Sequence, residues 1–309
     1  MADRKLKTWQ RAVAYSAFGF VALIVAFFIT FPYEALRERI RNEADAAGYF
    51  VRIGSMGPGF FAVRASDLQL SKKAAPDAEK PPEPLRIDSV SVGPTLFPPG
   101  VSVTAKLLDG SVKAKVGGMS TVSVNVVIDD LDLSKGNMKG FSGIDFSGSI
   151  DGEIDLKVPR AAVGGGPAEP DFGAASGTVA LGTKALSVNG GTMSLVLPMY
   201  GSEPTPLDLP KIAVGDLEAK LSFDKGAGKV DELRTKSTDL EVQASGTLKL
   251  AKRIEYSEPN MEIRIKAEPE FVKRLGLIGS ALSMIGPDPK DPNFRMGRLT
   301  GYLGRPNFR

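Results

Sequence analysis

The chain has 309 residues, with no Cys, no His, 39 Lys+Arg and 36 Asp+Glu. The two absences exclude zinc and blue-copper centres, the Ser-His-Asp and Cys-His nucleophilic sets, and any disulfide. The net charge of +3 sits in residues 1–11, where Arg4, Lys5, Lys7 and Arg11 face only Asp3, so the remainder is neutral and offers no broad positive field for nucleic acid.

After that tail, no residue between Arg11 and Glu34 is charged. As a helix, Ala12 to Phe31 would span about 30 Å, the thickness of a bilayer's hydrocarbon core. Buried core helices are rarely uncharged for so long. The expectation is a transmembrane helix over 12–33. A cleavable signal peptide would have a shorter apolar region and end in small residues. This run ends in Phe27, Phe28, Phe31 and Tyr33. It therefore reads as an uncleaved anchor, with Trp9 and Tyr33 as interfacial aromatics. The four basic residues Arg4, Lys5, Lys7 and Arg11 place the N-terminus in the cytoplasm and residues 34–309 outside it.

Pro32 marks the end of the span. Leu36, Ile40, Ala44 and Ala47 then recur at helical spacing, which predicts a short helix over 33–47 stopped by Gly48. Beyond it the apolar period changes to 2. The strongest case is 101–116, where Val101, Val103, Ala105 and Leu107 alternate with polar residues, as do Val112, Ala114 and Val116. Asp109-Gly110 lies between the two runs and suits the central pair of a type I′ turn, in which both residues need φ > 0. Val122–Ile128, Ile150–Val158, Val179–Val188, Met193–Leu197, Leu217–Phe223, Leu240–Leu250 and Met261–Ile265 read as further strands. Turn signals stand at Asn189-Gly190-Gly191 and Asp224-Lys225-Gly226. One apolar and one polar face per strand implies an antiparallel sheet covered mainly on one side.

A Gly followed by alternating aliphatics recurs at Gly152, Gly177 and Gly246, and in short form at Gly297, without a fixed period. Residues 71–84 and 160–176 are rich in Pro, Gly and Ala and read as loops. The second either divides the β region or is an insertion. Late in the chain Phe271, Leu275, Ile278, Leu282 and Ile285 form one apolar helical stripe, opened by Pro269 and ended by Gly286-Pro287. With only Lys273 and Arg274 as basic residues, this helix suits a cap on the sheet better than a membrane surface.

No reactive set emerges. Asp129, Asp130 and Asp132 are the densest carboxylates, yet they lack the ligand spacing of a calcium loop and lie in a strand pattern. There is no phosphate-binding glycine loop. The chain reads as a non-enzyme with no cofactor and no metal site.

The basic tail, the single span, FPYEALRERI, the stretch Gly48-Tyr49-Phe50-Val51-Arg52-Ile53-Gly54, DGEIDLKVP, SGTLKL and the closing GRLTGYLGRP, with Gly297, Leu299, Gly301 and Pro306, together resemble a known family. It is the type II secretion system protein N (GspN) family, in its longer deltaproteobacterial-type form. More distantly the chain is similar to AsmA-like proteins. The resemblance implies an N-terminal inner-membrane anchor, an elongated, curved antiparallel sheet shaped as a groove, and a periplasmic body in contact with other secretion-system subunits. It transfers no catalytic residues. The alternative is an AsmA-like lipid-handling protein. A lipid conduit needs a continuous uncovered apolar face; an interaction protein would close that face with the late helix or loops.

Overall fold

The computed structural model describes residues 31–59, 61–73, 83–162, 168–196 and 204–308, with isolated helical positions between Trp9 and Thr30. The expected span and the basic residues Arg4, Lys5, Lys7 and Arg11 fall largely or wholly outside the described residues. Among the described residues no helix is long and apolar enough to cross a membrane.

The first full element is helix α1 (Tyr33–Ala46), which ends as expected, with the Gly48 backbone in the left-handed region. Strands β1 (Tyr49–Pro58), β2 (Val63–Lys72), β3 (Leu85–Leu96), β4 (Pro99–Leu107), β5 (Gly110–Gly117) and β6 (Thr121–Asp132) follow. After a short helix α2 (Met138–Ser142) come β7 (Ile144–Ala161), β8 (Glu169–Pro170), β9 (Ser176–Val196), β10 (Pro204–Leu209), β11 (Ile212–Asp224), β12 (Ala227–Lys236), β13 (Leu240–Lys249) and β14 (Glu258–Ala267). Two helices, α3 (Pro269–Arg274) and α4 (Leu277–Met284), precede the closing hairpin of β15 (Arg295–Tyr302) and β16 (Arg305–Phe308).

The protein is mainly β, one large open antiparallel sheet of 16 strands laid down as a meander. Successive strands are neighbours, with β8 pairing β7 and β10 pairing β9 off the main path. Across the 160–176 stretch β7 and β9 are hydrogen-bonded directly, from Ile144↔Gly191 to Lys157↔Ser176. Register shifts occur in the middle pairs, β6/β7, β7/β9, β9/β11, β11/β12 and β12/β13. Each such bulge bends a strand and raises its twist.

Three local expectations are corrected. The 101–116 hairpin forms, but its turn is one residue earlier. Leu107 pairs with Gly110, so Leu108 (φ 54°) and Asp109 (φ 58°) are the central residues. A leucine in this conformation costs roughly 1–2 kcal/mol. Leu108 is only 8% exposed, in a cluster with Leu85 and Leu133, and burying it contributes about 1.5–3 kcal/mol, which outweighs the strain. Asp109 is the turn residue expected. Gly110 is the first residue of β5, and a Cβ there would collide with the carbonyl oxygens of Asp129 and Asp130.

Asn189-Gly190-Gly191 is no turn. β9 runs through it as one strand, and Met193 onward is its continuation. The glycines let β9 press against β7, where a Cβ on Gly191 would stand 2.7 Å from the Cα of Ile144. The late helix is broken in two at Gly276 (φ 57°, ψ −117°), so the stripe Phe271, Leu275, Ile278, Leu282, Ile285 is not one continuous face. Phe271 and Leu275 are buried, while Leu282 and Ile285 are half-buried. The turn at Lys225-Gly226 is as expected, with both residues at positive φ between the paired Asp224 and Ala227.

Candidate functional site

Paired residues in a sheet point to the same face, so the register shows which side chains line up across the strands. One row runs Pro58, Val63, Val92, Val103, Ala114, Val126, Ile154, Val179, Leu221, Val230, Gly246, Met261, Leu299, Phe308. It crosses every strand on the main path and meets no polar side chain. On one side of it lies a row from Met56 and Ala65 through Val112, Ile128 and Leu181 to Leu233. On the other side a row runs from Pro94 through Val101, Val116, Val124, Leu156 and Phe223 to Leu248 and Pro259. At about 4.8 Å between strands, the longest row measures on the order of 60 Å along the sheet. The opposite face is polar. Ser102, Lys115, Asn125, Asp155, Thr178, Ser222, Lys229, Thr247 and Asn260 form a matching row there.

The recurrent glycines belong to the apolar face. Gly152, paired with Leu181, leaves room for that side chain, since a Cβ on it would be 2.6 Å from Leu181 Cδ2. Gly228 lies beneath the ring of Phe223 and Gly297 beneath the ring of Phe308. At Gly152 and Gly297 the motif marks a place where a large side chain crosses the strand, whereas at Gly177 and Gly246, both at positive φ, the backbone of the paired strand occupies the Cβ position.

This face is covered in three places. Leu85, Leu108 and Leu133 gather beneath α2, with Met138, Phe141, Phe146, Ile150 and Leu186 around them. α2 is held by the stacked rings of Tyr49 and Phe141, 6.1 Å apart, and by a hydrogen bond from Asn137 to Glu83. At the other end of the strands Val122, Val158 and Ala175 are buried with Val124, Leu156, Phe172 and Leu250. There the Gly226 N–H donates to the Ala175 carbonyl and the Leu250 N–H to the Gly226 carbonyl, each at 2.8 Å. At the C-terminal side α3 and α4 lie over Ile265, Ala267 and Arg295, with a small 60 Å³ gap lined also by Val272 and Leu282.

Between these covers part of the rows stays open to solvent, although Ala219, Phe223 and Val230 on β11 and β12 are buried. Val92, Val101, Val116 and Leu181 are 37–47% exposed. The late helices therefore cap one end of the face and leave β3–β5 and Leu181 of β9 uncovered.

Charges cluster away from the face. Asp288, buried beside α4, accepts from the Lys290 backbone N–H at 2.9 Å and from Arg264, which also lies over the Phe294 ring and donates to Gln243. The Lys290 N–H is the largest influence holding the Asp288 carboxyl below its ordinary value; burial opposes it and Arg264 adds to the lowering. Asp132 is held low by the hydroxyl and then the backbone N–H of Ser134, whose turn it caps. Asp130 sits at a bulge, with its N–H donated to Asp151. Among the described residues no group of three or more acidic side chains is placed to hold a metal ion.

Sequence reasoning located most of these strands but not the continuity of the rows. That depends on register across bulges, which alternation within single strands does not reveal. No family model matches the chain, and neither a curated protein nor a solved structure matches it.

Proposed function

We propose that the chain is a non-catalytic, membrane-anchored envelope protein whose sheet curves into an elongated trough and holds the acyl chains of lipids. The observation that carries this reading is the unbroken apolar row from Pro58 to Phe308, with Val92 on it and Val101, Val116 and Leu181 beside it open to solvent. α2 contacts β2, β3 and β7 at once, and a flat sheet would hold β2 and β7 about 24 Å apart. A five-residue helix is only about 7.5 Å long, so the sheet bends around it. Acyl chains suit an apolar face with a polar back, because they make no demand for directed hydrogen bonds. Residues 12–33 supply the anchor, with the β body on the periplasmic side. The large apolar side chains of Tyr15, Phe18 and Leu23 are exposed helical positions in that stretch, and a bilayer is the solvent that suits them.

The second reading is an assembly component of the type II secretion machinery, contacting other inner-membrane and periplasmic subunits. It is favoured by the closing hairpin, where Gly297, Leu299, Gly301 and Pro306 fall on β15 and β16 at the free margin of the sheet, with β16 exposed throughout. A free margin is a surface for strand addition.

Purification of the full chain from membranes in mild detergent, with mass spectrometry of both lipid and protein, separates the two. Phospholipid retained near one-to-one or above, without secretion subunits, supports the trough. Secretion subunits with no retained lipid support the second reading and overturn the first.

A further inference from the structure

We propose that the hairpin tips at one end of β1–β6 form a second, separate site that docks on an anionic lipid surface. Three turns lie side by side there. The β1–β2 turn passes against β3, with the Phe61 carbonyl oxygen 2.9 Å from where a Cβ on Gly93 would stand. The β5–β6 turn is tied to the β3–β4 turn by the Gly118 N–H, which donates to the Pro99 carbonyl at 3.0 Å. These tips present large apolar side chains to solvent. Phe97 is 95% exposed, Met119 80% and Leu96 77%. Scattered exposed apolar residues need no explanation, but a group of the largest ones on adjoining turns marks a contact surface.

Charge identifies the occupant. Residues 46–66, 89–108 and 110–128 contain Arg52, Arg64, Lys106, Lys113 and Lys115 and no acidic residue. Arg64 and Lys113 share one cross-strand row on the polar face, with Lys115 two residues further along β5 towards the tip. By register Lys115 is nearest the tips, then Arg64 and Lys113, then Lys106; Asp67 and Asp88 come next, Arg52 lies beyond them, and Asp109 is in the turn at the opposite end. Exposed apolar groups on turns, backed by Arg64, Lys113 and Lys115, with Glu153 and Asp155 two strands further on at β7, have the chemistry of a surface that enters the headgroup layer of an anionic bilayer. α1 joins β1 at its opposite end, so the tips lie the length of a ten-residue strand, about 33 Å, from that junction. The tip site does not rest on the trough reading; a tip that docks and a trough that is empty are compatible.

The test uses the full chain held in phosphatidylcholine nanodiscs, mixed with vesicles of phosphatidylcholine containing phosphatidylglycerol, and read by co-flotation. The wild-type protein is expected to float with these vesicles and to be released by salt. The variant Leu96→Ser/Phe97→Ser/Met119→Ser should float at least about tenfold less with an unchanged melting temperature, because the side chains are already exposed. Lys113→Gln/Lys115→Gln should weaken capture and blunt its salt dependence. In a Trp9→Phe background, Phe97→Trp should be quenched by brominated lipid in the added vesicles. Wild-type capture by the triple serine variant, equal capture of vesicles lacking phosphatidylglycerol, or an unquenched tryptophan would each overturn the proposal. So would loss of self-association in the serine variant with vesicle capture unaffected, which would make the tips a surface for a second copy.

Discussion

At Gly110 the constraint comes from the neighbouring strand. Its Cβ position is occupied by the carbonyls of Asp129 and Asp130, so Gly110→Val should lower stability by about 2–3 kcal/mol through a backbone collision. Asp109→Gly, at the residue that does adopt positive φ, should change the stability read by urea unfolding by less than about 1 kcal/mol. Equal losses in both variants would return the turn to Asp109-Gly110. Asp288 gives a pH prediction. Its carboxyl titrates below its unfolded value, so the stability it contributes is present above that value and is lost as pH falls through the folded one. Wild-type protein should lose more melting temperature than Asp288→Asn as pH is lowered through the carboxylate range; parallel curves would show that the carboxylate contributes nothing. The turn dipeptide was visible in the sequence. The one-residue displacement was not, because it follows from Leu108 finding a place beside Leu85 and Leu133, which lie far away in the chain.

Among the elements, the late helical segment tests how sequence periodicity meets a glycine. Phe271, Leu275, Ile278, Leu282 and Ile285 have helical spacing, yet Gly276 takes φ 57° and ψ −117° and divides the stripe. No atom lies within 4 Å of its Cβ position, so Gly276→Ala should cost about 1–3 kcal/mol from backbone strain alone. A fully stable alanine variant would mean that a continuous helix forms readily. Leu275 is buried, and Leu275→Asp should destabilise by several kcal/mol in thermal unfolding of the full chain. An unchanged melting temperature would detach this segment from the sheet. Strand identity was legible because polar and apolar residues alternate over long runs. Asn189-Gly190-Gly191 misled because glycines that permit close strand approach have the same composition as glycines that turn a chain.

Across the whole molecule, the decisive property is the alignment of fourteen strands into three apolar rows, one of them spanning the full path. Single-strand alternation predicted an apolar face. Whether that face is covered depends on where α2, the 171–175 segment and α3–α4 come to rest, and each of these covers only an end. The exposed tips were equally hidden, since Phe97 and Met119 look like core residues in the sequence. The most direct measurement is photo-crosslinking in membranes from a full chain carrying benzoylphenylalanine at one position at a time. Placed at Val126 or Leu181 on the open rows, the probe should crosslink to lipid. Placed at Asn125 or Thr178 on the polar face, it should not. Lipid adducts of equal yield on both faces, or protein adducts alone at Val126 and Leu181, would contradict a lipid-holding trough.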